Sequence, residues 1–160
     1  MRKVLFDTNV LVDYLIGREP GCSACKYIIA TAQEHQLALY ATALSMKDAY
    51  YLVCANLKRL ERNATGALSE QMAKAANRTA WACARQLGET VLVVPVGQTE
   101  CLTAFTLAEL HDDFEDDLIV AAAGELDADF LVTGDERLIK HAPVCCISPQ
   151  YLQTFLQQSS

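Results

Sequence analysis

The chain has 160 residues, 52% of them hydrophobic, and a formal net charge of −7. This length suits one domain with a continuous core, and the hydrophobic content excludes an intrinsically disordered chain. The acidic balance argues against a general nucleic-acid binder, which usually has a basic surface. No segment reaches the 18 or more uninterrupted apolar residues of a membrane span, and no signal peptide precedes the first strand. We therefore expect a cytoplasmic protein without a membrane partner.

Apolar strands alternate with amphipathic helices along the sequence. The patterns predict strands over residues 2–6, 37–41, 91–94, 129–132 and 144–147. They predict helices over residues 10–17, 20–35, 45–60, 69–88, 98–110 and 113–126, and a closing helix that begins at Pro149. This alternation is typical of βα units and indicates an α/β fold with a mostly parallel sheet, covered by helices on both faces. We expect residues 1–150 to form a single domain and 151–160 to form the closing helix and the C-terminal tail.

Four aspartates stand where predicted strands end or predicted helices begin. Asp7 closes the first strand and Asp135 follows the fourth, whereas Asp48 and Asp116 lie near the starts of helices. Parallel strands bring their carboxyl ends to one edge of the sheet, where such folds bind ligands. Carboxylates gathered there repel one another unless a hard cation lies between them, and oxygen-only ligation favours Mg²⁺ or Mn²⁺. The pattern therefore predicts a metal-dependent enzyme.

Each aspartate also has a purely structural interpretation. Asp7 could close an Asx-turn after its strand, and Asp135 could be a turn residue. The segment from Ser45 to Asp48 has the pattern of a capping box, and residues 113–116 resemble a second helix cap. These interpretations leave unexplained why all four aspartates should fall near one edge of the sheet.

Basic residues collect locally despite the acidic total. Lys58, Arg59 and Arg62 stand on one predicted helix or just after it, and Lys74 and Arg78 lie on the next helix. Such groups are usually solvated helix surface, but they could also steer phosphate groups toward a site. The sequence leaves both interpretations open.

Four segments resemble, in order, the motifs of PIN-domain nucleases. Residues 4–13 (VLFDTNVLVD) resemble the first motif. Residues 43–51 (ALSMKDAYY) resemble the second motif of a subgroup that has Asp where other members have Glu. Residues 113–122 resemble the third motif, and residues 133–136 (TGDE) resemble the fourth, with Gly134 where a basic residue is common. The resemblance runs through nearly the whole chain.

The resemblance implies a three-layer α/β/α fold with a central, mostly parallel sheet of about five strands. It also implies endonuclease action on RNA that depends on Mg²⁺ or Mn²⁺. The catalytic metal ligands would be Asp7, Asp48, Asp116 and Asp135. A metal-activated water, rather than a protein side chain, is the expected nucleophile.

Neighbouring motif residues would support these ligands. Thr8, Asn9 and Thr133 would hold the carboxylates in place. Asp117 stands where the family usually has a small residue, which leaves the third ligand open between Asp116 and Asp117. Asp116 is preferred as the ligand, with Asp117 as a supporting residue. His111, just before the third motif, is more typical of a structural residue.

Many PIN relatives are VapC-like toxins of toxin–antitoxin pairs, so an antitoxin protein and a homodimer are expected partners beside RNA. A catalytically degenerate PIN domain that acts as a binding or assembly module is one alternative, because the sequence cannot show turnover. A phosphohydrolase of the haloacid-dehalogenase type is a weaker alternative, since Asn9 stands where that family needs a second Asp.

Overall fold

A computed structural model of the chain describes residues 1–111 and 113–159, and a parallel sheet lies at its centre. The strands are β1 (Arg2–Phe6), β2 (Leu37–Thr42), β3 (Leu92–Val94), β4 (Phe130–Val132) and β5 (Cys146–Ile147). The helices are α1 (Thr8–Ile16), α2 (Gly21–Thr31), α3 (Ala43–Thr65), α4 (Glu70–Thr90), α5 (Gln98–His111), α6 (Phe114–Leu126), α7 (Glu136–His141) and α8 (Pro149–Gln158). The side chain of His111 lies outside the described residues.

The order of strands across the sheet is β3-β2-β1-β4-β5, and every neighbouring pair is parallel. The chain builds outward from β1 to β3 on one side, then returns to place β4 on the other side of β1. The carboxyl ends of β1 and β4 therefore flank the point at which the strand order reverses. Open α/β sheets bind ligands at this point. The sheet, with helices on both faces, confirms the predicted three-layer α/β/α architecture.

Alternate residues of the central strand pack into different hydrophobic cores. Val4 and Phe6 pack with α1, α2 and α8, whereas Leu5 packs with α6 and α7 on the opposite face. Side chains alternate across a strand, so β1 serves both helical layers. All three side chains are fully buried, and each contributes roughly 1.5–3 kcal/mol of burial free energy. The residue that follows β1 is therefore held on a rigid support.

Several helix ends and one whole helix differ from the sequence prediction. Helix α2, for example, ends at Thr31 rather than near residue 35. The predicted end of α3 near Leu60 is wrong, because the helix continues to Thr65. It then breaks within residues 63–66, as the sequence indicates, at Gly66, whose φ of 77° is left-handed. Glycine adopts this conformation without strain and commonly ends helices. The predicted stop at Gly88 is also wrong, since α4 passes through it; one glycine inside a helix costs only about 1 kcal/mol. Helix α7 was not predicted because six residues are too few to show a helical period.

No helix within the described ranges is long and apolar enough to cross a lipid bilayer.

Candidate active site

Asp7 and Asp135 follow two neighbouring strands at the reversal point of the sheet. Phe6 pairs with Val132 in the register of β1 and β4, and the Asp7 N–H donates to the Val132 carbonyl at 2.9 Å. The two chain segments therefore leave the sheet side by side, and their carboxylates share its carboxyl edge.

Asp7 is buried, and both of its carboxylate oxygens accept hydrogen bonds. Its Oδ1 accepts from the Thr8 N–H at 2.6 Å. Its Oδ2 accepts from Asn9 Nδ2 at 2.6 Å and from Thr133 Oγ1 at 2.7 Å. Hydrogen bonds to a carboxylate are short and comparatively strong. Three of them fix the orientation of a side chain that is only 6% exposed.

Asn9 and Thr133 join the ends of β1 and β4. Asn9 Nδ2 lies 3.2 Å from Thr133 Oγ1, and Asn9 Oδ1 accepts from the Gly134 N–H at 2.9 Å. Thr133 Oγ1 also accepts from the Asp135 N–H at 3.0 Å. A Cβ on Gly134 would lie 3.3 Å from Asn9 Oδ1. Glycine at this position therefore allows Asn9 to approach the backbone closely.

Asp7 and Asp116 both lie close enough to Asp135 for its charge to raise their pKa values. Burial raises the pKa of Asp7 despite its hydrogen bonds, and the charge of Asp135 adds to the effect. Burial also raises the pKa of Asp116 from 3.8 to about 6, with further contributions from the carboxylates of Asp113, Asp7 and Asp135 and an opposing one from Arg137. The structure therefore brings three of the four predicted ligands together in an excess of negative charge.

Asp48 does not cap its helix, so the predicted capping box from Ser45 to Asp48 is wrong. Helix α3 begins two residues earlier than expected, with Thr42 as its N-cap. Thr42 Oγ1 accepts from the Ser45 N–H at 2.9 Å, which leaves Asp48 in the second turn. The structural interpretation of Asp48 as a cap is thereby removed.

Glu115 links Asp48 to the other carboxylates. Burial raises the pKa of Glu115, and the next contributions come from the charges of Asp48 and Asp7. Asp48 Oδ1 pairs with Lys47 Nζ at 2.7 Å, so part of its charge is already balanced. Asp48 is therefore connected to the acidic group through Glu115, which is close enough to both Asp48 and Asp7 for their charges to raise its pKa.

Asp116 faces the acidic group, whereas Asp117 points into the protein. The Asp116 side chain is 20% exposed, and its Oδ2 lies 3.9 Å from a guanidinium nitrogen of Arg137. Asp117 is only 1% exposed. Successive helical residues point about 100° apart, so the two carboxylates do not address the same point.

Thr8 has a different role from Asn9 and Thr133, because its hydroxyl contacts α3 rather than a carboxylate. Thr8 Oγ1 donates to Ser45 Oγ at 3.0 Å, and the hydroxyls of Ser45 and Thr42 are 2.9 Å apart. All three residues are buried. The Ser45 hydroxyl is thus engaged in a structural network that ties α1 to the start of α3, and it is not available as a nucleophile.

Helix capping accompanies this clustering at three aspartates. It agrees with the cap expected at residues 113–116 and takes the place of the turns expected at Asp7 and Asp135. Asp7 caps α1, Asp113 caps α6 and Asp135 caps α7 through side-chain hydrogen bonds to backbone N–H groups. Capping places a carboxylate at the N-terminus of a helix, where its charge is favourable. Three helix N-termini that meet at one sheet edge thus help to support the acidic group.

The donor set suits a hard divalent cation in chemistry, although its side chains are not yet arranged around one. The carboxylates supply only oxygen, and their mutual repulsion would be relieved by a cation. Among the side chains that the structure describes, no three carboxylate, imidazole or thiol groups converge closely enough to coordinate an ion as they stand. A metal site would be completed if Asp48 turned away from Lys47 and Asp116 turned away from Arg137.

Sequence reasoning did not find Glu115 or Arg137. Both residues are charged, and both lie inside or next to a segment that resembles a PIN motif, so the sequence contained a signal for each of them. Which side of a helical turn faces the acidic group depends on how the helix packs, and the sequence pattern does not give that angle.

A profile of the PIN domain matches residues 3–137 of the chain. The chain belongs to the PIN-domain family. This PIN domain also resembles a chain in the crystal structure of VapBC2 from Rickettsia felis bound to a DNA fragment from their promoter. That match has a TM-score of 0.61 and 12% identity, and it covers 91% of this chain and 98% of that one.

A second solved structure with the same fold is that of DNA-bound VapBC from Salmonella typhimurium. The TM-score is 0.63 and the identity 13%, with coverage of 93% of this PIN domain and 99% of that chain. At these identities the likeness is one of fold. A search of curated proteins gives no significant sequence match.

Proposed function

We propose that this PIN domain is a divalent-metal-dependent endoribonuclease that hydrolyses RNA phosphodiesters and acts as the toxin of a toxin–antitoxin pair. The observation that carries the proposal is the meeting of Asp7, Asp116 and Asp135 at the carboxyl edge of the sheet, with raised pKa values for Asp7 and Asp116. Such crowding of like charges opposes folding and is typical of functional sites. Helix capping alone does not account for it.

Mg²⁺ or Mn²⁺ is the proposed cofactor, because both bind carboxylate oxygen. Asp7, Asp116 and Asp135 would hold the ion, and Asp48 would join them by turning away from Lys47. A bound ion supplies an activated water for hydrolysis and offsets charge on the phosphodiester.

The chain's own residues position the ligands and the substrate. Asn9 and Thr133 fix the orientation of Asp7 through their short hydrogen bonds. Lys47 and Arg137 lie at the rim, where their side chains are 56% and 64% exposed. These two cations are placed to attract a phosphate group toward the carboxylates.

Cleavage of a mixed RNA pool tests the proposed activity. Hydrolysis should require Mg²⁺ or Mn²⁺ and should stop in excess EDTA. Asp7→Asn should lower the rate on the order of a hundredfold or more, because it removes a charged group at the reacting centre. Asp127→Asn is a matched control: Asp127 is exposed at the C-cap of α6 with a left-handed φ of 53°, which Asn tolerates well. Hydrolysis in EDTA, or full activity of Asp7→Asn, would reject the proposal.

The toxin role and the antitoxin partner rest on the two structural neighbours, both of which are VapBC complexes. We propose an antitoxin protein as one partner and a second copy of the chain as another, in the cytoplasm. Arrest of growth on expression, reversed by co-expression of a small protein encoded next to the gene, would support this role. Expression without any effect on growth would count against it.

A catalytically degenerate PIN domain is the second candidate, and the Lys47–Asp48 ion pair favours it. Asp48 is held by a cation in the position where a fourth metal ligand is expected. Lys47→Met separates the candidates. An active enzyme should cleave RNA with Lys or Met at position 47 and should bind the metal at least as tightly once Asp48 is released. A degenerate domain should cleave RNA with neither residue.

A further inference from the structure

The helical hairpin formed by α3 and α4 differs in charge from the rest of the chain. Residues 43–90 contain seven of the 13 Lys and Arg residues but only four of the 20 Asp and Glu residues. The hairpin is therefore net positive in a chain whose total charge is −7. A local basic surface on an acidic protein attracts polyanions to one face only.

One exposed stripe of α4 combines cations with the single tryptophan of the chain. Lys74, Arg78, Trp81 and Arg85 recur at helical spacing and are all exposed, Trp81 to 62%. Residues three and four apart are neighbours on a helix surface. Lys74 pairs with Glu70 at 2.6 Å, but neither Arg78 nor Arg85 forms an ion pair within the described part of the chain. Two unpaired guanidinium groups thus flank Trp81.

A series of aromatic contacts connects Trp81 to the acidic site. The ring of Tyr50 in α3 lies 5.2 Å from the Trp81 ring and 5.1 Å from the Tyr51 ring, centroid to centroid. Tyr50 is half-buried and supports both neighbours, whereas Tyr51 is 62% exposed. Tyr51 follows Asp48 by three residues, which is less than one helical turn. The aromatic contacts therefore join the basic stripe of α4, through Trp81, to the part of α3 that carries Asp48.

We infer that one surface of the α3–α4 hairpin binds the single-stranded RNA that the acidic site would cleave. This surface, here called the hairpin surface, consists of Tyr51, Arg78, Trp81 and Arg85. Unpaired bases stack on Tyr51 and Trp81, and the two arginines contact the phosphates. Aromatic stacking and cationic backbone contacts are the usual means of binding single strands without sequence preference. The choice of RNA rests on the proposed ribonuclease function.

Charge favours RNA over a second copy of the chain on this surface. A two-fold interface places the same patch of both subunits face to face, so Arg78 and Arg85 would meet like charges. Tyr, Trp and Arg are also enriched at protein interfaces, and an acidic partner protein is therefore the competing occupant. The experiment must distinguish RNA from protein.

Tryptophan fluorescence provides a direct test, because Trp81 is the only source of tryptophan emission. A 12-nucleotide single-stranded RNA of mixed sequence is titrated into the parent protein in EDTA, which prevents metal-dependent turnover. Stacking on Trp81 should quench its emission in a saturable way. An RNA duplex of equal length and an abasic ribose-phosphate strand should quench less, since their bases are paired or absent.

Matched variants separate stacking from charge in a binding assay with labelled RNA. Trp81→Ala should weaken binding about tenfold, whereas Tyr151→Ala, which removes an aromatic side chain 64% exposed on α8, should have no effect. Arg78→Gln should make the salt dependence of log K shallower by about 0.7, the value for one phosphate contact on a single strand. Lys26→Gln, an exposed cation on α2, should leave that slope unchanged.

Several results would overturn the inference. One is an unquenched Trp81 at saturating RNA, and another is an equal loss of RNA binding in Trp81→Ala and Tyr151→Ala. A third is Trp81 emission that changes with protein concentration alone, which would indicate that a second copy of the chain covers this surface. Quenching by the antitoxin but not by RNA would assign the surface to a protein. Because the assay needs no turnover, RNA binding without metal-dependent cleavage would reject the proposed enzyme but keep the surface. Metal-dependent cleavage without quenching of Trp81 would keep the proposed enzyme but reject the hairpin surface.

Discussion

Asp7 serves a helix and the acidic site at the same time. Its Oδ1 caps α1 and its Oδ2 is held by Asn9 and Thr133, yet burial still raises the pKa of the carboxyl. The hydrogen bonds therefore do not fully compensate for the lost hydration of the charged form. A structural role and a functional role coexist in one side chain, so neither interpretation excludes the other.

Asp116 and Asp117 should respond differently to removal of charge. We predict that Asp116→Asn abolishes metal-dependent cleavage, whereas Asp117→Asn lowers stability more than it lowers the rate per folded molecule. The reason is that Asp116 is partly exposed and faces the other carboxylates, whereas Asp117 is buried. Rates and urea denaturation curves for both variants provide the comparison. If only Asp117→Asn lost activity, Asp117 rather than Asp116 would be the metal ligand, and the third motif would be misplaced by one residue.

The pH dependence of stability in EDTA follows from the raised pKa of Asp116. Below pH 3.8, the pKa of this carboxyl in the unfolded chain, Asp116 is protonated in both the folded and the unfolded state. Between 3.8 and about 6 only the native state keeps the proton, so the free energy of unfolding falls as the pH rises through this range. Asp116→Asn should be more stable than the parent at pH 7.5, and the gain should shrink at pH 4.5. An equal gain in the free energy of unfolding at both pH values would contradict the raised pKa of Asp116.

At the scale of elements, the start of α3 links the helical hairpin to the acidic site. Thr42 caps the helix, and its hydroxyl joins those of Ser45 and Thr8 in a buried network. Loss of this cap therefore affects packing between α1 and α3 as well as one backbone hydrogen bond.

We predict that Thr42→Ala lowers the free energy of unfolding by about 1–2 kcal/mol. The matched control is Ser69→Ala, because Ser69 caps α4 through the Met72 N–H at 3.1 Å but is exposed. Solvent replaces part of that lost bond, so the control should cost about 0.5–1 kcal/mol. Equal losses in urea denaturation would show that the hydroxyl network adds nothing to the cap.

The strands were predictable because each is a run of apolar residues bounded by turns, and β1 in particular is buried on both faces. Asp7 and Asp135 could be placed together because parallel strands share one carboxyl edge. The neighbours of those aspartates could not be predicted with the same certainty. Glu115 and Arg137 reach the acidic group through the packing angles of α6 and α7, and the Lys47–Asp48 pair depends on where α3 begins.

At the scale of the whole molecule, acidic, basic and apolar surface features lie on different elements. The reversal of strand order between β1 and β4 creates the acidic edge, whereas the basic residues are concentrated on the α3–α4 hairpin. An apolar patch lies elsewhere, where Leu102 and Phe105 are exposed and Phe105 stacks on Phe114 at 5.8 Å. Exposed apolar patches of this kind commonly mark protein interfaces.

We predict that the chain is a homodimer and that this patch contributes to the interface. Light scattering at micromolar concentration should give twice the chain mass of 17.6 kDa. Phe105→Ser should shift the equilibrium toward the monomer, because it removes a large exposed aromatic side chain. Tyr151→Ser is the control at a similar exposure. A monomeric parent, or the same shift for both variants, would contradict the prediction.

Thermal unfolding with and without Mn²⁺ tests the central claim most directly, since it requires no knowledge of the RNA target. Binding to the folded state should stabilise the parent by about 2.7 kcal/mol when free Mn²⁺ is at a hundredfold excess over Kd. Asp116→Asn should respond much less, and the surface control Asp127→Asn should respond like the parent. If Mn²⁺ stabilises the parent and Asp116→Asn equally, or stabilises neither, the carboxylates at the reversal point of the sheet do not form the metal site.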